Sequence, residues 1–234
     1  MTNNEKLNPM LPQKHFIARK LRTSFLLQPL VGLWFLGIAA YGIWDGLSNF
    51  ATRGAWSALY LAIAAVGCWI GTKILVIYSL RQSLIRHWQA NHFGLVAAIC
   101  SRAISILGRS PLVGGLELAI LENQFGLARM YQGSFESAES LFNSAIDRVT
   151  KAAEHAPERN GCAFIPSYAL MVHNLAVACC RQDNHAEAIA KAKTGLELVQ
   201  NTEDKRYEIY RALLLLSLGT THLRLNQLDV AEEY

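Results

Sequence analysis

Apolar residues dominate two long runs, 25–44 and 55–78, and beyond residue 81 they recur at intervals of three and four. The two patterns predict two kinds of helix. Residues 25–44 form a 20-residue apolar stretch interrupted only by Gln28 and Pro29. As a helix it would extend about 30 Å, the depth of a bilayer's hydrocarbon core. Pro29 falls in the opening turns, where a missing N–H is tolerated. Residues 55–72 carry no charge, and the run resumes after Lys73 with Ile74, Leu75, Val76, Ile77 and Tyr78. Lys73 lies near enough to the end of the run for its amine to reach the headgroups. The polar, glycine-containing connection 45–55, between Trp44 and Trp56, is too short for a domain. The expectation is a transmembrane hairpin within residues 25–80, with spans at 25–44 and 55–78 and aromatic residues at both interfaces.

From residue 81 to residue 234 the pattern is that of packed helix pairs, and it repeats. One copy reads Asn174, Leu175 and Ala176, then Cys179, Asp183, His185, Ala188 and Ile189. A second, offset by 43 positions, reads Ser217, Leu218 and Gly219, then His222, Asn226, Leu228 and Ala231. A third is visible upstream in Gly133, Phe135, Ala138, Leu141, Phe142, Ala145 and Ile146. A degraded fourth is suggested by Asn91, Phe93, Val96, Cys100, Ala103 and Ile104. A fixed period of this size marks stacked helical hairpins. The first helix of the third copy allows two registers, one pairing Phe125 with Gly126 and the other Leu127 with Ala128. Between the third copy and the next the step lengthens to 50 residues, and 155–167 contains Pro157, Gly161 and Pro166, a linker signal.

These residues resemble the tetratricopeptide repeat family. In that family each unit is two antiparallel helices, A and B, with small residues where they cross. Here the large–small pairs are Leu175-Ala176 and Leu218-Gly219, the crossing alanines are Ala188 and Ala231, and Asp183 or Asn226 replaces the usual turn glycine. Only the long-helix variants have so long a period. The resemblance implies an all-α fold, an α-solenoid following the hairpin, and a concave groove lined by A-helix side chains. Carried over by position, that groove would hold His173, Asn174, Val177 and Arg181, then Ser217, Thr220 and Arg224. In the Phe125-Gly126 register it adds Asn123, Gln124 and Leu127. An asparagine at the place of Asn174 often binds an extended peptide backbone in the family, because an amide both donates and accepts. Asn174 and Arg181 are the leading candidates.

Charge refines this picture. Residues 1–24 hold Lys6, Lys14, Arg19, Lys20 and Arg22 against Glu5, whereas 81–234 carry a net charge of −1. The basic balance therefore belongs to the tail, and a nucleic-acid surface on the repeats is not expected. Basic residues before the first run, with Arg81 and Arg86 after the second, predict an integral membrane protein with both termini cytoplasmic. The basic tail also suits contact with anionic headgroups. Ala64, Gly67 and Gly71 fall on one face of the second apolar helix. That small-residue stripe can seat the first helix of the same hairpin or a second copy.

No catalytic constellation is legible. The stretch 108–115 is glycine-rich but lacks the Lys-Ser/Thr of a phosphate loop. His155, His173, His185 and His222 show no paired-ligand spacing, and His185 and His222 stand where the family has aromatic residues, which reads as packing. The five cysteines match no zinc or disulfide framework, and Cys179 sits at a helix crossing. Neither an enzyme, a metal nor a cofactor is expected. The pattern breaks off inside a helix B at Tyr234, so the repeat region is expected to be incomplete. The reading is a membrane-anchored scaffold binding a protein or peptide partner in the groove. The alternative is the N-terminal sensor or linker of a larger membrane receptor or enzyme.

Overall fold

A computed structural model describes residues 28–48, 55–109, 114–154, 164–200 and 207–234. The basic tail 1–24, most of the connection 45–55, residues 110–113 of the glycine-rich stretch, His155, Cys162 and most of the linker 155–167 lie outside them. The described elements are all helical: α1 (Gln28–Ser48), α2 (Ala55–Gln89), α3 (Phe93–Leu107), α4 (Gly115–Tyr131), α5 (Phe135–Glu154), α6 (Phe164–Arg181), α7 (His185–Gln200), α8 (Glu208–Arg224) and the short α9 (Leu228–Glu232). They fall into two compact units, Met1–His92 and Phe93–Tyr234. The division lies beyond the expected boundary at residue 80, because α2 continues through it to Gln89.

In the first unit α1 and α2 pack antiparallel through small residues. A Cβ added at Gly71 would lie 2.9 Å from the Gly32 carbonyl oxygen and from Leu36 Cγ, and one at Gly67 would lie 3.3 Å from the Phe35 carbonyl. Ala39 and Ala64 are buried in the same seam. The stripe Ala64, Gly67, Gly71 is therefore occupied by α1, so in this arrangement it offers a second copy no free face. Large apolar side chains point the other way: Leu33, Trp34, Tyr41 and Trp44 are all exposed. Among the described residues one helix, Leu61–Gln89, is long and apolar enough to cross a membrane. The apolar part of α1, Pro29–Asp45, is shorter. At about 1.5 Å per residue it falls several ångströms short of a full hydrocarbon core. Two full spans were expected; the described residues supply one.

In the second unit the helices alternate between two kinds of burial. Helix α5 buries a single stripe, Ala138, Phe142, Ala145 and Val149, at spacings of four and three. Helix α7 does the same with Ala188, Ala192, Leu196 and Val199. Helix α6, by contrast, is buried almost all round from Ala169 to Cys180, since it packs against neighbours on more than one side. Helix α4 is similar. The core continues between hairpins. Ala119, Ala145, Val149 and Met171 join α4 and α5 to α6. Val172, Ala176, Leu196, Val199, Tyr210, Leu214 and Leu218 join α6 and α7 to α8.

One turn recurs through the chain. Asn91, Gly133, Asp183 and Asn226 have positive φ values of 58°, 80°, 59° and 59°. At each, the turn residue's N–H donates to the carbonyl three residues back, and the next N–H donates to the carbonyl five residues before it: Asp183 to Cys180 and Asn184 to Cys179, Asn226 to Leu223 and Gln227 to His222. This is the Schellman closure of a helix C-terminus. Asparagine and aspartate tolerate the left-handed region better than other non-glycine residues, which is why they replace glycine here. The four turns are 42, 50 and 43 residues apart, a helical-repeat-like architecture whose degraded copy at Asn91 keeps the turn.

The shared turn also settles the register at the third copy. Eight residues before Asp183 and Asn226 stand Leu175 and Leu218, and eight before Gly133 stands Phe125. The large–small pair is therefore Phe125-Gly126. Gly126 is needed there, since a Cβ would lie 2.6 Å from the Phe142 ring.

Candidate functional site

Helices α4, α6 and α8 are successive A helices, so a position can be counted back from each left-handed turn residue. At ten residues before it stand Asn123, His173 and Leu216; at nine, Gln124, Asn174 and Ser217. These two levels form buried polar contacts between hairpins. Asn174 Nδ2 donates to Asn123 Oδ1 at 2.8 Å, and His173 Nδ1 lies 2.7 Å from Ser217 Oγ. Each time, the residue ten before the turn meets the residue nine before the next turn. All four side chains are buried, Asn174 completely.

Burial sets the chemistry of this row. Removal from water lowers the His173 pKa to about 4, against a smaller opposing effect from the Leu213 backbone, so the imidazole is neutral at physiological pH. An amide pair and a neutral imidazole–hydroxyl pair satisfy each other without buried charge. The four residues expected to line an open groove are instead fixed between helices. Leu127, also expected there, is core. Helix periodicity gave their angle correctly, but α6 has neighbours on both sides, so that angle faces protein.

The other expected residues keep more access. Val177 and Thr220 stand six before their turns, and Arg181 and Arg224 two before. Val177, Arg181 and Thr220 are half-buried. Arg224 Nη1 donates to the Cys180 carbonyl at 3.1 Å and lies 3.8 Å from Asp183, tying α8 to α6. Arg181 makes no hydrogen bond or ion pair among the described residues. Gln124 is half-buried, and its Oε1 atom is buried without a hydrogen-bond partner among them. Val177, Arg181, Thr220 and the exposed Arg224 are thus the expected residues still open to solvent.

Two clusters escaped the sequence reading. Glu122, buried on α4, accepts from Arg148 Nε at 2.8 Å and Ser144 Oγ at 3.0 Å, which locks α5 against α4. Glu139, Cys179 and Glu187 bring one ligand atom each to within 4.8 Å of one another. Those carboxylates have other work: Gln182 donates to Glu139 at 2.6 Å and Asn184 to Glu187 at 2.8 Å. Burial first, then the two carboxylates, push the Cys179 thiol up to about 12. A protonated, buried thiol is a poor nucleophile and a poor ligand. Their spacing along the chain carries no signal, because three helices bring them together.

The two histidines expected to pack do so in part. His222 stacks on Tyr234 with ring centroids 5.7 Å apart and bonds Gln227 Oε1 through Nδ1 at 2.7 Å. His185 Nδ1 lies 3.9 Å from the Cys180 sulfur. The chain matches no protein-family model, and comparison with curated proteins returned no match.

Proposed function

We propose that this chain is a membrane-anchored scaffold of the tetratricopeptide repeat kind, whose α-solenoid binds a protein or peptide partner at the cytoplasmic face. The observation that carries the reading is the common register of α4, α6 and α8. It repeats equivalent side chains at equal heights on neighbouring helices, the arrangement that reads an extended or helical ligand. Within this proposal the levels divide the labour. Asn123, Asn174, His173 and Ser217 position the helices. Val177, Arg181 and Thr220 contact the partner, Arg181 through an uncommitted guanidinium suited to carboxylates.

The two apolar helices serve as the anchor, inserted as a hairpin. The basic tail and Arg81 and Arg86 hold both ends in the cytoplasm. No catalytic, metal or cofactor role is assigned. The test is affinity capture by the full chain from native membranes, comparing wild type, Arg181→Glu and Asn174→Ala, with thermal unfolding of each. The proposal expects Arg181→Glu to lose a specific partner at unchanged stability, while Asn174→Ala loses stability. A partner set indifferent to Arg181→Glu would overturn the groove assignment.

A further inference from the structure

The near-neutral balance of residues 81–234 hides a division. No Asp or Glu occurs between Asp45 and Glu117, so the four arginines of 81–116 have no acid among them, whereas 117–234 hold 11 Lys or Arg against 16 Asp or Glu. Helix α3 lies in the basic part. Its exposed side can be compared with those of α5 and α7, because each of the three follows a left-handed turn. Four residues after the turn stand Leu95, Ser137 and Glu187, and Leu95 is 50% exposed. Eleven after it stand Arg102, Ser144 and Thr194; fourteen after it stand Ser105, Asp147 and Glu197. Fifteen after it, Ile106 is 61% exposed, and the exposed Leu198 of α7 directly follows Glu197. Helices α5 and α7 thus turn carboxylates to solvent, and α3 turns none. Leu95, Ala98, Arg102 and Ile106 are all exposed at helical spacing, a stripe about 17 Å long. The exposed Arg109 follows just beyond the helix.

The composition of this side says what it fits. Large apolar side chains set between arginines suit a surface that is apolar beneath and anionic above, the interfacial zone of a bilayer. A second copy would bring Arg102 and Arg109 against arginines, and the basic tail 1–24 carries the same sign. Neither complements the face. The chain connection favours lipid. Helix α3 begins four residues after the end of Leu61–Gln89, the helix long and apolar enough to cross a membrane. Basic residues that follow a span directly meet the anionic headgroups of its surface.

We propose that the exposed side of α3 lies on an anionic lipid surface, with Leu95 and Ile106 set among the acyl chains and Arg102 and Arg109 on headgroup phosphates. This goes beyond the scaffold reading and needs no partner in the groove. The test uses the full chain carrying Cys68→Ser and Cys162→Ser, the remaining cysteines being buried. A nitroxide is attached at Ile106→Cys or, on the exposed side of α5, at Asn143→Cys; the chain with neither substitution controls for stray labelling. Each is reconstituted in phosphatidylcholine bilayers with and without phosphatidylglycerol, and paramagnetic resonance reads the label's accessibility to an aqueous nickel chelate. Flotation with phosphatidylcholine vesicles tests the hairpin anchor separately. With phosphatidylglycerol present, the Ile106 label should become several-fold less accessible, while the Asn143 label stays open to the chelate in both bilayers. Arg102→Glu/Arg109→Glu should restore the accessibility at Ile106. An Ile106 label as open as the Asn143 label in the anionic bilayer would overturn the proposal. So would shielding that is equal without phosphatidylglycerol or that survives Arg102→Glu/Arg109→Glu, since the cover would then be protein or owe nothing to headgroup charge.

Discussion

The two units place side chains in opposite ways. In the repeat unit Phe142, Leu175, Leu214 and Leu218, all large and apolar, are fully buried, and the buried polar row pairs as Asn123–Asn174 and His173–Ser217. In the α1–α2 hairpin the small residues lie inside, Ala39, Ala64, Gly67 and Gly71, and the large ones, Trp34, Tyr41 and Trp44, lie outside. The repeat unit gains by taking hydrocarbon out of water. A hairpin that exposes tryptophan and leucine gains nothing that way. Its helices meet through close backbone contact, the mode of association that suits an apolar solvent. The same helix is thus held by two different forces, and each substitution should cost according to which force it removes.

The largest contrast concerns big side chains. Phe142→Ala, in the repeat core, should cost about 3–5 kcal/mol in denaturant unfolding. Trp34→Ala removes a larger group from the exposed hairpin surface and should change unfolding in micelles by less than about 0.5 kcal/mol. Comparable losses at the two sites would break the distinction.

Small residues should show the reverse. Gly71→Ala drives a methyl into the α1 backbone and is expected to lower the hairpin's thermal stability, by about 1–3 kcal/mol. Gly37→Ala meets nothing within 4 Å and should be neutral or slightly stabilising through helix propensity. Gly126→Ala, against the Phe142 ring, is the repeat unit's counterpart and should behave like Gly71→Ala.

The polar row sharpens the account of the repeat unit. Asn174→Ala leaves Asn123 buried without its partner and should cost about 1–3 kcal/mol. The double variant Asn123→Ala/Asn174→Ala should cost less than the sum of the singles in a mutant cycle.

The pH effect is the gentlest. His173 stays neutral in the fold down to about 4 but takes a proton near 6.5 when unfolded. Between those values the unfolded chain binds more protons, so stability falls as pH falls through this window. The slope approaches about 1.4 kcal/mol per pH unit. Denaturation at pH 7 and pH 5 should show the loss, and His173→Gln should reduce it.

Much of the fold was legible before the structure. Asp183, Asn226, Gly133 and even the isolated Asn91 marked true left-handed turns, because few residues tolerate that backbone. The stripe Ala64, Gly67, Gly71 was legible as a helix seam because only small residues permit such an approach. Periodicity left two registers at Phe125-Gly126 and Leu127-Ala128, since both place large and small residues side by side. Turn geometry decides between them. The site was less legible. A helical wheel gives the direction of Asn174 and His173 but not what stands in front of them: α4 stands before Asn174 and α8 before His173. Glu139, Cys179 and Glu187 meet only through tertiary packing, which no local pattern records.

We propose that the hairpin packs for an apolar solvent and the repeats for water. All five tryptophans, Trp34, Trp44, Trp56, Trp69 and Trp88, precede residue 93, so intrinsic tryptophan fluorescence reports on the first unit alone. The decisive measurement is quenching of that fluorescence in reconstituted bilayers, by lipids brominated along the acyl chain and by aqueous acrylamide. The account predicts strong quenching by the brominated lipids and weak quenching by acrylamide. Strong acrylamide quenching with no response to brominated lipid would contradict it.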